Sequence, residues 1–151
     1  MATTEAQAIE ALNEAIAWHQ KESRPNIGIL GYSEGAEGVL RHLQSGTTAV
    51  KAAFVATPST TTDLNLPAGI QRPISIALSD EYDINNTTTQ WIDVSRDLKN
   101  SSQPYQINVY SHVHTGFAQR RNGPSKADRL AKKSAFTQAI TWFEEFLTDG
   151  L

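Results

Sequence analysis

Ile27-Gly28-Ile29-Leu30-Gly31-Tyr32-Ser33-Glu34-Gly35-Ala36-Glu37-Gly38-Val39-Leu40 is the stretch that decides how this 151-residue chain folds. Ile27 to Leu30 is an apolar run too short for a helix, of the kind buried on both faces of a parallel sheet. Ala36 to Gln44 has helical spacing through Val39, Leu40 and Leu43, and Gly46 stops it. Between the two lies Gly31-Tyr32-Ser33-Glu34-Gly35, a G-x-S-x-G sequence with a strand before it and a helix after it. That context defines a nucleophile elbow, in which a strained turn lifts a serine hydroxyl above a helix N-terminus. Glycines two residues either side of the serine are expected to let strand and helix pass without a Cβ clash. An ordinary glycine-bounded turn is the competing reading.

Working outward, Thr4 to Lys21 repeats apolar positions at helical spacing through Ile9, Leu12 and Ile16. Three further runs have strand length and composition: Ala49 to Ala56, Pro73 to Leu78 and Gln106 to Tyr110. Thr87 to Leu98 reads as a helix, and Lys126 to Leu147 as a longer one with Leu130, Ala131, Ala135, Ile140, Phe143 and Phe146 along one stripe. Strands alternating with helices imply parallel pairing. The expectation is a single domain over residues 1–151, an α/β three-layer sandwich with a short, mainly parallel sheet of about four strands.

Composition narrows the function. Hydrophobic residues make up 39% and charged residues 19%, with 13 Lys+Arg against 16 Asp+Glu, a net charge of −3. No basic face is evident, so nucleic acid is not an expected partner. No apolar run reaches membrane-spanning length, and MATTEAQAIEALNEAIAWHQ lacks the features of a signal peptide, which makes the cytoplasm the expected location. With no cysteine, disulfides and thiolate chemistry are excluded.

Serine chemistry needs a base and an acid to orient it, in chain order serine, acid, histidine. Asp80, just after the strand ending at Leu78, is the expected acid, with Asp83 as competitor. His114 and His112, beyond Tyr110, supply the base. Being two apart, they point to opposite sides if the strand continues through them. His112-x-His114 beside Asp80 also has the look of a metal site, but no third strong ligand is evident; no metal and no cofactor are expected. His19 and His42 read as helix-surface residues. Arg120-Arg121 reads as a solvated pair.

Taken together, GYSEGAEGVL, AAFVATPS, PISIALSDEYDI, YQINVYSHVHTGFAQR and AFTQAITWFEEFL resemble the dienelactone hydrolases, particularly their fungal members, over most of the chain from Ile27 to Leu147. The resemblance implies an α/β-hydrolase fold, here N-terminally shortened, and cleavage of a small ester or lactone by a nucleophile, acid and histidine. Ser33 matches the nucleophile, usually cysteine in that family, and Asp80 matches the acid. The family's histidine directly precedes Gly-Phe; here Thr115 precedes Gly116-Phe117, and His114 stands one residue early. Thr57 replaces a family histidine before Pro-Ser. The expected working site is Ser33, Asp80 and His114, with Glu34, His112, Thr115 and Phe117 lining a pocket for a small-molecule substrate. Two alternatives remain: a non-hydrolytic isomerase, lyase or cyclase using the same pocket, and a binding protein without chemistry. About four strands is half the usual sheet, so the edge of the Ile27 to Leu30 strand is expected to be exposed, and covered by the N-terminal helix or by a second copy in a homodimer.

Overall fold

The computed structural model describes residues 5–46, 49–56, 70–80, 95–96, 98–119 and 125–148. Four strands, β1 (Gly28–Tyr32), β2 (Ala52–Ala56), β3 (Ile74–Ser79) and β4 (Tyr105–Tyr110), form one sheet in the order β1-β2-β3-β4. Every neighbouring pair is parallel. Helices α1 (Glu5–Lys21) and α2 (Glu34–Gln44) lie on one face and α3 (Lys126–Leu147) on the other. This is the α/β sandwich read from the sequence. Of the expected Thr87 to Leu98 helix, only Ser95, Arg96 and Leu98 fall among the described residues; these three are helical, as is Lys99.

Two apolar layers hold the sandwich together. Ile29, Val39, Leu40, Leu43, Val55, Ile74 and Ile76 fill the α2 side, with Ile16 of α1 packed in beside them. Phe54, Phe117, Val113, Ala131, Ala135 and Ala139 fill the α3 side. β2 is covered on both faces, its five residues all buried, and the first four residues of β3 are buried as well. β1 lies at the sheet edge, as the small strand count implies, and its Leu30 is 52% exposed, so this apolar run is not buried on both faces. An apolar run identifies a strand but not its rank in the sheet, because that depends on which strands come to lie beside it.

The stripe on α3 also differs from expectation. Ala131, Ala135, Gln138 and Ala139 face the sheet, whereas Leu130, Phe136 and Ile140 are exposed. Large side chains already project from the sheet on this side, Phe54 foremost, so alanines let the helix approach closely. Gln138 joins helix to sheet by polar contacts. Its Nε2 donates to Ser75 Oγ (2.8 Å) and to the Ile76 carbonyl (3.1 Å), and its Oε1 accepts from the Tyr110 hydroxyl (2.9 Å).

On the opposite face, α2 ends as expected, with Gly46 in the left-handed region (φ 74°). His42 is not a surface residue. It is buried between α1 and α2, with Nδ1 2.9 Å from Asn13 Oδ1, and burial holds its pKa below the ordinary histidine value. No helix among the described residues is long and apolar enough to cross a membrane.

Candidate active site

Ser33 links β1 to α2 with φ 49° and ψ −120°, a region that side-chain-bearing residues rarely occupy. The turn is pinned on both sides: Ser33 N–H donates to the Ala56 carbonyl (3.0 Å), and Ala36 N–H donates to the Ser33 carbonyl (3.0 Å). Ser33 is the N-cap of α2, yet its hydroxyl makes no capping hydrogen bond. A serine at this position normally uses its oxygen to satisfy an N-terminal amide. Here the strained backbone turns the hydroxyl away from that role, and Glu34, exposed at the first helical position, contributes an N–H that points out of the helix end.

The two elbow glycines are not equivalent. A Cβ on Gly31 would lie 2.4 Å from the Gly35 carbonyl oxygen and 2.8 Å from Ala36 Cα, backbone atoms that cannot move aside. A Cβ on Gly35 would meet nothing within 4 Å. The close approach of strand and helix therefore depends on Gly31 alone.

Asp80 follows β3, and His112 and His114 follow β4, so all three lie beyond the carboxyl ends of the strands, as Ser33 does. Neighbouring strands are about 4.8 Å apart, which sets β3 roughly 10 Å and β4 roughly 14 Å from β1. Strand direction alone cannot bring an imidazole to Ser33. The path of the loop after β4 decides where the two histidines lie. It leaves the strand at Tyr110, turns at His112 (φ 56°) and Gly116 (φ 77°), and closes with Phe117 N–H on the His114 carbonyl (3.0 Å). Because the chain turns here, the side-to-side alternation of a continuing strand does not apply to the two histidines.

The carboxylates divide between the histidines. Asp80, exposed, accepts the backbone N–H of His112 on Oδ1 (2.5 Å), while its own N–H donates to the Tyr110 carbonyl (3.1 Å). The His114 ring lies instead against Asp128, with Nδ1 3.1 Å from Oδ2 and 3.3 Å from Oδ1, and the His114 backbone N–H also donates to Oδ1 (2.9 Å). Asp128 Oδ2 further accepts from Ser125 N–H (3.1 Å) and Ser125 Oγ (2.6 Å). These donors, Ser125 Oγ foremost, hold the Asp128 carboxyl well below the usual carboxylate range despite its complete burial. The expected Asp80–His114 pairing is not formed. Among the described residues no hydrogen bond joins Ser33 Oγ to either histidine. Asp83, Thr57 and Arg120-Arg121 lie outside the described residues.

Phe117, expected at the substrate, is fully buried with its ring 5.2 Å from that of Tyr110, so it anchors the histidine loop to the core. Thr115 is half-buried in the same loop and His112 is exposed. The residue after Phe117 reaches a cleft next to the elbow. Tyr32, Ala118, Ala135 and Phe136 form its apolar lining, and Arg129, Lys132 and Lys133 its basic side. The loop thus spans from β4 to the neighbourhood of β1. Asp128 escaped the sequence reading because Ser125-x-x-Asp128 is also the pattern of a helix capping box, which it forms. Among the described residues no group of three or more metal-ligating side chains is assembled.

A parallel sheet flanked by helices, with a strained serine between β1 and α2, defines an α/β-hydrolase fold. Solved structures agree: an alpha/beta hydrolase enzyme, MGS-M1, from a deep-sea metagenome library of the Medee basin superimposes with a TM-score of 0.71 at 14% identity, over 92% of this chain and 64% of that one. The family follows from the sequence. The model of the dienelactone hydrolase family matches residues 1–147, and the chain belongs to that family. Among curated relatives, Hydrolase tropI of Talaromyces stipitatus is 35% identical over 123 residues, covering 82% of this chain and 47% of its own length. Hydrolase pyvD of Aspergillus violaceofuscus is 34% identical over 129 residues, covering 80% and 48%. The chain therefore spans about half the length of these relatives.

Proposed function

We propose that the chain hydrolyses a small ester or lactone, with Ser33 as nucleophile and His114 as its general base. The observation that carries this reading is the backbone of Ser33: φ 49° and ψ −120°, with a hydroxyl withheld from capping. Strain of this kind costs about 1–3 kcal/mol and clusters at active sites. In the proposed reaction Ser33 Oγ attacks the carbonyl carbon as its proton passes to the imidazole, and the Glu34 N–H, aided by the positive end of α2, stabilises the oxyanion. The proton then goes to the departing alkoxide. Water, deprotonated by the same imidazole, cleaves the acyl-enzyme and restores the serine. The cleft beside Tyr32, lined by Ala118, Ala135 and Phe136 together with three basic residues, adjoins the elbow and would admit a small substrate with an apolar body. Hydrolase relatives of 34 to 35% identity support the reaction class.

A second reading, an isomerase, lyase or cyclase, has its own support. Ser33 Oγ has no hydrogen bond to a histidine among the described residues, while His114 is already set on Asp128 and could move protons without a nucleophile. Turnover of a panel of small esters and lactones by the Ser33→Ala variant separates the two. Hydrolysis through Ser33 predicts loss of activity by at least about 100-fold. Substantial turnover without the hydroxyl would favour acid–base chemistry and contradict the hydrolase reading.

A further inference from the structure

We propose that Asp128, at the start of α3, is the residue that positions His114 for catalysis, in place of Asp80 after β3. The inference rests on the hydrolase reading for its kinetic consequence, but its structural content stands apart from it. An ionised carboxylate only accepts hydrogen bonds, so a ring nitrogen 3.1 Å from Asp128 Oδ2 must carry a proton. The neutral imidazole of His114 is therefore protonated on Nδ1, which leaves the lone pair on Nε2, the nitrogen that can accept a proton from a serine. The backbone N–H of His114 on Oδ1 of the same carboxylate fixes the residue as well as its ring.

Asp80 has no comparable claim. Its carboxylate is exposed and engaged by the backbone of His112, so it holds the beginning of the histidine loop and leaves the imidazole to Asp128. Asp128 is fully buried and belongs to the rigid first turn of a 22-residue helix. An acid buried there sets an imidazole more firmly than one on an exposed loop. It does two jobs at once: Oδ2 receives both donors of Ser125 and closes the capping box, while the ring of His114 lies across both oxygens.

Nitrogen-15 NMR of the full chain labelled at histidine, recorded where His114 is neutral, reads the tautomer without a substrate or a variant. The expected result is a proton on Nδ1; a proton on Nε2 in the wild-type chain overturns the proposal. Three variants then separate positioning from capping. Asp128→Asn should shift His114 toward the Nε2-protonated form and lower kcat by about 100-fold or more with little change in KM. Asp80→Asn should leave the tautomer in place and lower kcat less. Ser125→Ala, which removes the cap but not the carboxylate, should reduce thermal stability and leave the tautomer unchanged. If Asp128→Asn retains both tautomer and kcat, or Asp80→Asn abolishes both, the proposal is wrong. If instead the wild-type chain hydrolyses nothing while its tautomer responds to Asp128→Asn, the hydrolase reading fails and the Asp128–His114 assignment survives.

Discussion

At the scale of single residues, the elbow shows what a motif specifies and what it leaves open. G-x-S-x-G located Ser33, and the structure gives it the strained backbone that the motif implies. The motif treats its two glycines alike, although only one meets a neighbour. Gly31→Ala should destabilise the fold by about 1–3 kcal/mol or disrupt the elbow, because the added methyl meets backbone. Gly35→Ala should be neutral or stabilising by up to about 1 kcal/mol, since it lies inside α2 with open space around it. Chemical denaturation of the two variants checks this contrast, and equal losses would contradict it. The acid was the least legible residue. Asp80 matched a family position, while Asp128 was masked by its role in a capping pattern, and no local spacing links it to a histidine 14 residues earlier.

At the scale of elements, strand and helix positions were legible because period and turn chemistry are local properties. What faces what was not. β2, whose run Ala52–Ala56 looks no more apolar than β1, became the covered strand because β1 and β3 flank it. The outward turn of Leu130, Phe136 and Ile140 on α3 follows from bulk on the sheet opposite, which helical spacing cannot report. His42 illustrates the same point between α1 and α2, where Asn13, 29 residues away in sequence, supplies the partner.

Burial of His42 has a consequence for stability. Its folded pKa lies below the unfolded value, so the unfolded chain binds the proton more readily. The stabilisation is complete above the unfolded value of about 6.5 and is lost as pH falls below it toward the folded pKa. Thermal melts between pH 8 and pH 5 should therefore show a falling Tm below about pH 6.5, with a shallower fall in His42→Gln. An unchanged slope in the variant would assign the loss to other groups.

For the whole molecule, the open border of β1 is the dominant feature. Ile27 accepts from Lys51 and Ser33 donates to Ala56, so the odd-numbered residues of β1 face β2. The backbone groups of Gly28, Leu30 and Tyr32 consequently point to the open edge. α1 packs on α2 and leaves Leu30 exposed, and Phe136 of α3, which shares the cleft with Tyr32, is 64% exposed on the same border. This edge is self-complementary: a two-fold axis at Leu30 would pair it antiparallel with Leu30 of a second copy and set Gly28 opposite Tyr32. We expect a homodimer built on this edge, with eight strands in one continuous sheet. Sedimentation at micromolar concentration should give twice the chain mass, and Leu30→Lys should return the monomer. A monomeric wild-type chain would contradict the pairing. The edge position of this strand was legible from the strand count, whereas the register of its outward backbone groups required the hydrogen-bond pattern.

An activated Ser33 would react with an electrophile that ordinary serines ignore. Treatment of the folded chain with a fluorophosphonate, followed by peptide mass spectrometry, tests that activation most directly. A stoichiometric adduct is expected on Ser33, forming more slowly in Asp128→Asn. A folded wild-type chain that carries no adduct at saturating probe, or carries it on another residue, would contradict the activation of Ser33.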